Sequence, residues 1–384
     1  MQTIIRQSVG IDIAKKSFTA CLCKQYSNCK AELTEVVEFE NAKKGFNQLV
    51  KWVGKNAVPE PKIVFVMEAT GIYYESLAHH LYNLGRPVCV VLPNKVKHYG
   101  KSLNVKSKTD VIDARVIAQM GAERILEQWQ PAPQVFKHLR DLTRLYSDLK
   151  SQRTVFSNRL QSVQSGYSPL TFIIESNKAL IKKIDAEIKK CEQAIHQLIS
   201  SESWLEEKIK KLLTIKGAGF ITIAIIIAET QGFKLIKNVK QLASYAGYDV
   251  IKRESGSSVK GKTRISKKGN SRIRAALHFP ALVASRHNKE MKTVYTRINE
   301  GKASKMIGAT ALQRKLLILI YSLWKQDTAY KEKETITTSG NQETKPFLRL
   351  KYEVLEKKAG RPTSLPAQDE LPSNLSTEAL LRLT

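Results

Sequence analysis

Cysteine is scarce in this chain of 384 residues: five in all, at positions 21, 23, 29, 89 and 191. A set so small and odd in number excludes a disulfide-stapled scaffold. Long apolar runs are missing too. The best, ITIAIIIA at 221–228, has eight residues, against the roughly 20 that a membrane span needs, so no membrane is expected among the partners. The opening MQTIIRQSVGIDIAKK lacks a signal-peptide layout, and the expected location is the cytoplasm. Acids are few beside bases: 35 Asp and Glu against 63 Lys and Arg, 63 − 35 = +28. Hydrophobic residues still make up 42% of the chain, which excludes global disorder. What remains is a multidomain protein that wants a polyanion, and nucleic acid is the obvious one.

The positive charge is concentrated. Residues 251–300 hold 13 Lys and Arg against three acids, whereas residues 1–50 hold seven against five. The run KGKTRISKKGNSRIR at 260–274 mixes cations with Gly and Ser, which suits close backbone approach to phosphates. Arg253, Lys260, Lys262, Arg264, Lys267, Lys268, Arg272 and Arg274 are the expected phosphate contacts. The run has no aromatic residue, which argues against a groove that stacks single-stranded bases.

Patterning divides the chain into four parts. Residues 1–128 read as α/β. SVGIDIA and SFTACLC form a strand pair, KIVFVMEAT and PVCVVL are buried strands, and YESLAHHLYNLG and TDVIDARVIAQMGAERIL are helices. Residues 129–211 carry two heptad seams, Val135 to Val163 and Ile181 to Leu212, broken only by Arg153 and Glu202. The turn-rich SGYSPLTF lies between them, so the segment reads as a long antiparallel helical hairpin of coiled-coil type. Residues 212–328 are mainly helical, with a Gly-x-Gly turn at 217–219, a helix over 272–288 that Pro280 should kink, and an apolar helix over 306–325. Residues 329–384 read as a loosely ordered polar tail.

Four acids stand out. Asp12 interrupts the apolar strand VGIDIA, where an ionised carboxylate is costly without a partner. Glu68 ends the apolar run VFVME, and Asp110 and Asp113 share one side of a helix. Hard oxygen ligands on rigid elements suit Mg²⁺ or Mn²⁺. Each acid also has a plainer reading: Asp110 as a helix N-cap, Asp113 as a first-turn acid, Asp12 as a partner of Lys15 or Lys16, Glu68 as a strand-end charge. Cys21, Cys23 and Cys29 lack a fourth ligand for zinc. His79 and His80 read as surface residues of a helix, and His278 and His287 as structural.

The segments G-I-D-I-A-K, M-E-A-T-G-I-Y and K-T-D-V-I-D-A-R, followed by Q-L-A-S-Y-A-G and R-I-S-K-K-G-N-S-R-I-R-A-A-L, span about residues 8–290. In order and spacing they resemble the bacterial insertion-sequence transposases of the family numbered one hundred and ten, the bridge-RNA-guided DEDD recombinases. The resemblance implies a RuvC-like ribonuclease H fold in the first part and a serine-bearing transposase domain in the third. It puts the metal-binding acids at Asp12, Glu68, Asp110 and Asp113 and the nucleophile at Ser255, with Ser257 and Ser258 adjacent. It further implies double-stranded donor and target DNA, a structured guide RNA, a dimer or tetramer on DNA, and work at the bacterial nucleoid. Two positions depart from the pattern: Lys216 replaces a Pro before Gly-x-Gly, and Tyr248-Asp249-Val250 replaces Leu-x-Pro. Two rival readings remain open, a metal-dependent resolvase-type nuclease without serine chemistry and a non-catalytic bridging protein.

Overall fold

Alternation of period two builds the first hairpin. In β1 (Ile4–Ile13), Val9, Ile11 and Ile13 are buried on one side of the strand, and Ser8, Gly10 and Asp12 take the other. β2 (Ser17–Tyr26) runs antiparallel to β1, with Val9 opposite Leu22 and Asp12 opposite Thr19. The computed structural model describes residues 3–331 apart from 70, 106, 108, 235, 252, 253, 256–258 and 262, with backbone alone at 254, 255, 259 and 260. Arg253, Ser257, Ser258, Lys262 and the tail from 332 onward therefore lie outside the described residues, as does the side chain of Lys260.

The short strands β3 (Ala31–Leu33) and β4 (Val37–Glu40) both pair with β2. After α1 (Lys43–Asn56), β5 (Ile63–Glu68) joins β1 in parallel. α2 (Glu75–Asn83) then leads to β6 (Val88–Val91), parallel to β5. The sheet order is β3-β2-β1-β5-β6, with β4 also on β2. α1 and α2 cover one face, packing on Val9, Ile11, Phe65 and Met67. α3 (Pro93–Ser102) and α4 (Asp110–Glu123) cover the other, against Val66, Cys89 and Val91. Burial on both faces is why β5 and β6 read as unbroken apolar runs. The α/β expectation holds, but β3, β4, α1 and α3 escape sequence reading. β3 is three residues long, and α3 buries only Val96 and Tyr99.

α5 (Gln134–Gln164) and α6 (Thr171–Ser200) pair as an antiparallel hairpin. Cys191 lies against the Leu142 carbonyl, and Arg153, the residue that breaks the seam, reaches Asp185 with Nε–Oδ1 2.6 Å. The second seam is not one helix. α6 stops at Ser200 and α7 (Ser203–Leu213) restarts after Ser201 and Glu202. At its base the hairpin is fastened to α2, because Lys137 and Arg140 both reach Glu75 at 2.7 and 3.5 Å.

α8 (Phe220–Thr230) is almost wholly buried, and α9 (Val239–Tyr245) follows. Four two-residue strands come next, β7 (Val250–Ile251), β8 (Glu254–Ser255), β9 (Val259–Lys260) and β10 (Arg264–Ile265). β7 pairs with β10 and β8 with β9. The helix expected over 272–288 is two, α10 (Ser271–Ala276) and α11 (His278–His287), separated at Leu277. Pro280 accounts for the break three residues upstream, since its ring excludes the carbonyl of residue 276 and it donates no N–H. α12 (Lys289–Asn299) and α13 (Met306–Gln326) complete the described fold. α13 corrects the sequence reading of apolar runs: by length and composition it could cross a membrane. Here it is a core helix, with Leu312, Leu316, Leu317, Ile320 and Trp324 buried. Arg314 and Lys315 interrupt its sequence, which is why no long run was visible.

Candidate active site on the acid edge and a basic platform

Small residues bring α4 down onto the sheet. A Cβ on Gly10 would lie 2.0 Å from the Ala118 nitrogen and 2.4 Å from the Ala114 oxygen, and one on Gly121 would lie 2.1 Å from Ser8 Oγ. Ala114, Ala118 and Ala122, spaced by four, pack on Cys21 and Cys23 of β2. α4 runs antiparallel to β1, and both its ends are held: Thr19 Oγ1 donates to the Asp110 carbonyl at 3.2 Å, and Arg6 Nη1 to the Glu123 carbonyl at 3.4 Å. Burial pushes the Cys23 thiol up to about 12, so this thiol packs as a neutral hydrophobe.

This geometry gathers the four acids at one edge. The parallel register pairs Ile11 with Met67, so Asp12 and Glu68 are the next neighbours, on strands about 4.8 Å apart. Both share the α4 side with Gly10 and Val66, because side chains alternate. Asp113 immediately precedes Ala114, the residue seated on Gly10, and Asp110 is tied to Thr19, the partner of Asp12. Thr109, not Asp110, is the N-cap, its Oγ1 accepting from the Ile112 amide at 3.3 Å. Asp110 is thus spared for other work and is exposed, while Asp12, Glu68 and Asp113 are half-buried.

The donor chemistry suits a hard divalent cation, and the backbone converges on one edge. The side chains do not close the set: among the described residues, no group of three or more His, Cys, Asp or Glu side chains stands close enough to hold a metal ion. His79 and His80 correct the surface expectation. Both are half-buried, His79 edge-on to Trp129 at 5.1 Å and His80 against Phe46 at 5.4 Å.

Ser255 ends β8, and its backbone pairs antiparallel with Val259 of β9. The basic run that follows rests on a platform at the end of α9. The Lys267 amide donates to the Gly247 carbonyl at 3.1 Å and the Asn270 amide to the Tyr245 carbonyl at 2.7 Å. Gly269 is required there, because a Cβ would stand 2.5 Å from both Gly247 N and Tyr245 O. Asp249, one of the residues that depart from the family pattern, receives the Ser266 hydroxyl. Arg264, Lys267 and Lys268 are exposed. Arg274 is instead spent on the carbonyls of Ala246 and Gly269 at 2.8 and 3.2 Å, and Arg272 reaches Asp148 at 3.3 Å.

Sequence reading missed Glu229. This α8 carboxylate is 5% exposed. It receives Arg144 of α5 through both oxygens at 2.8 and 3.0 Å, and Asn270 Nδ2 at 2.7 Å. Asn270 in turn caps α10. Burial pushes the Glu229 carboxyl up, but the bonds from Arg144 and Asn270 outweigh it and hold the group below the ordinary carboxylate range. One buried charge thus fastens the basic loop to the hairpin.

Two family models match the chain, and both describe transposases. "Transposase", of the DEDD type, matches residues 9–169, which include all four acids, and "Transposase IS116/IS110/IS902 family" matches residues 209–296, which include Ser255. The chain is therefore an enzyme that acts on DNA, and it belongs to the IS110 family of transposases. A pilin gene-inverting protein of Moraxella bovis is 29% identical over 327 residues, covering 84% of this chain and 97% of the relative. A probable family 20 transposase of Pseudomonas aeruginosa is 21% identical over 359 residues, covering 84% and 98%. Among solved structures, Thermus thermophilus RuvC in complex with a Holliday junction substrate matches 32% of this chain and 99% of its own, at 11% identity and a TM-score of 0.26.

Proposed function

We propose that this transposase is an RNA-guided DNA recombinase that exchanges strands through a phosphoserine at Ser255, in a RuvC-like catalytic domain paired with the serine domain. Asp12, Glu68, Asp110 and Asp113 would hold Mg²⁺ or Mn²⁺, which when bound supplies Lewis-acid polarisation of phosphoryl oxygens. The observation that carries the reading is the convergence of β1, β5 and the first turn of α4 on one edge. The Ser255 hydroxyl would lose its proton and attack phosphorus, and a deoxyribose oxygen would leave. One phosphoester replaces another, so a DNA hydroxyl can later reverse the step without ATP. Arg264, Lys267 and Lys268 would hold the phosphodiester and offset charge growing on its oxygens. The acids of one subunit would work with the serine of a second, with the hairpin as the dimer contact. The partners are then donor and target duplexes and a structured guide RNA, at the bacterial nucleoid.

Trapping tests this reading. The protein is mixed with RNA transcribed from the flank of its element, donor duplex and Mg²⁺. A DNA–protein adduct mapping to Ser255 is expected, and Ser255→Ala should reduce both adduct and strand exchange below detection. Strand exchange that survives Ser255→Ala would overturn the serine role, and metal-dependent hydrolysis without any adduct would favour the resolvase reading. Asp12→Asn should keep duplex binding and lose cleavage, whereas a bridging protein would lose nothing.

A further inference from the structure

A second basic tract lies outside the 251–300 cluster. From residue 76 to residue 109 the chain has no Asp or Glu but six Lys and Arg, at 86, 95, 97, 101, 106 and 108. Half of these cations stand on α3. That helix buries Val96 and Tyr99 against β6 and α4. Asn94, Lys97, His98 and Lys101 recur at i, i+3, i+4 and i+7 on its other side, and all four are exposed. The stripe is about 10 Å long at 1.5 Å per residue.

Its position matters more than its charge. Val91, at the end of β6, pairs with Glu68, and Pro93 opens α3 two residues later. α3 then lies along α4, with Gly100 beside Val116 and Tyr99 Oη donating to Glu123 Oε2 at 2.6 Å. The stripe therefore starts at the strand ends that carry Asp12 and Glu68, on the same face of the sheet. Four carboxylates at that edge repel a polyanion, so a strand brought to them needs cations alongside.

We infer that the exposed side of α3, through Lys97 and Lys101 with Lys95 beside them, seats the phosphate backbone of the duplex DNA whose strand enters the acid edge. The inference rests on the acid edge being where DNA is cut. Each phosphate contact contributes about −0.9 to the slope of log affinity against log salt.

The test measures duplex and structured-RNA binding separately across salt concentrations for full-length Lys97→Gln/Lys101→Gln. Neutralising two exposed side chains leaves the buried side of α3 alone, and circular dichroism checks the fold. Duplex affinity is expected to fall about tenfold or more at low salt, with a slope shallower by about 1.8, twice the contribution of one phosphate. Lys51→Gln/Lys55→Gln, on α1 across the sheet, should change neither quantity. An unchanged slope in the α3 variant, an equal loss in the α1 variant, or a loss confined to RNA would each overturn the inference. A protein that binds duplex through α3 yet forms no adduct at Ser255 would instead defeat the serine mechanism and leave this surface standing.

Discussion

Glu229→Ala is expected to destabilise the protein by about 3 kcal/mol and to weaken duplex binding with it. Removing one partner from a buried ion pair typically costs about 3–5 kcal/mol, because the other charge is stranded. The lower end applies because the Arg144 side chain is 43% exposed and can recover water. Asn270 loses its acceptor too, and with it the anchor of the residues that carry Lys267 and Lys268. Urea midpoints and duplex affinity measure the two effects. Acid sharpens the test. Because folding holds this carboxyl below its ordinary value, its contribution is fully present above the unfolded value of about 4.3 and is lost as pH falls through the folded value. Glu229→Gln should therefore flatten the acid limb of the stability curve while keeping side-chain volume. An unchanged acid limb would show that the carboxylate contributes nothing there.

Gly10→Val should be at least as damaging. The added carbon would meet backbone atoms of α4 at 2.0 and 2.4 Å, which no side-chain rotation can relieve. Overpacking a tight contact costs about 1–3 kcal/mol and sometimes more, and here the helix must lift from β1. That motion carries Asp110 and Asp113 away from Asp12, so under the proposed acid site DNA cleavage should fall further than folded protein does. Gly54→Ala is the control. Beyond α1's own backbone, nothing lies within 4 Å of the new carbon, and the helix should gain up to about 1 kcal/mol. Equal urea midpoints for Gly10→Val and wild type would refute the close seating of α4.

The four acids stand out in the sequence because each signal is local. A carboxylate inside VGIDIA is anomalous on its own strand, and alternation alone gives its side of the sheet. The parallel register of β1 with β5 was not legible, since it depends on a crossover that includes α1, a helix whose sequence begins with two lysines and a glycine. Glu229 was invisible for a related reason. An acid near the end of IIIAET looks ordinary, and its partner Arg144 is 85 residues away in sequence. All the cations of the 260–274 run look alike as phosphate contacts in the sequence, yet Arg274 serves backbone carbonyls while Lys267 and Lys268 face outward. A cation count cannot separate the two.

α5 takes Glu75 through Arg140 and Glu229 through Arg144. Four residues amount to about 6 Å along a helix and 40° around it, so both grips fall on one side of a single rod. Twisting that rod would pull on α2 beside the sheet and on α8 at once, as a crankshaft moves two pistons in fixed phase. Within one protomer, the sheet and the helices around α8 are geared together, and any torque applied at the outer end of the hairpin would reach both.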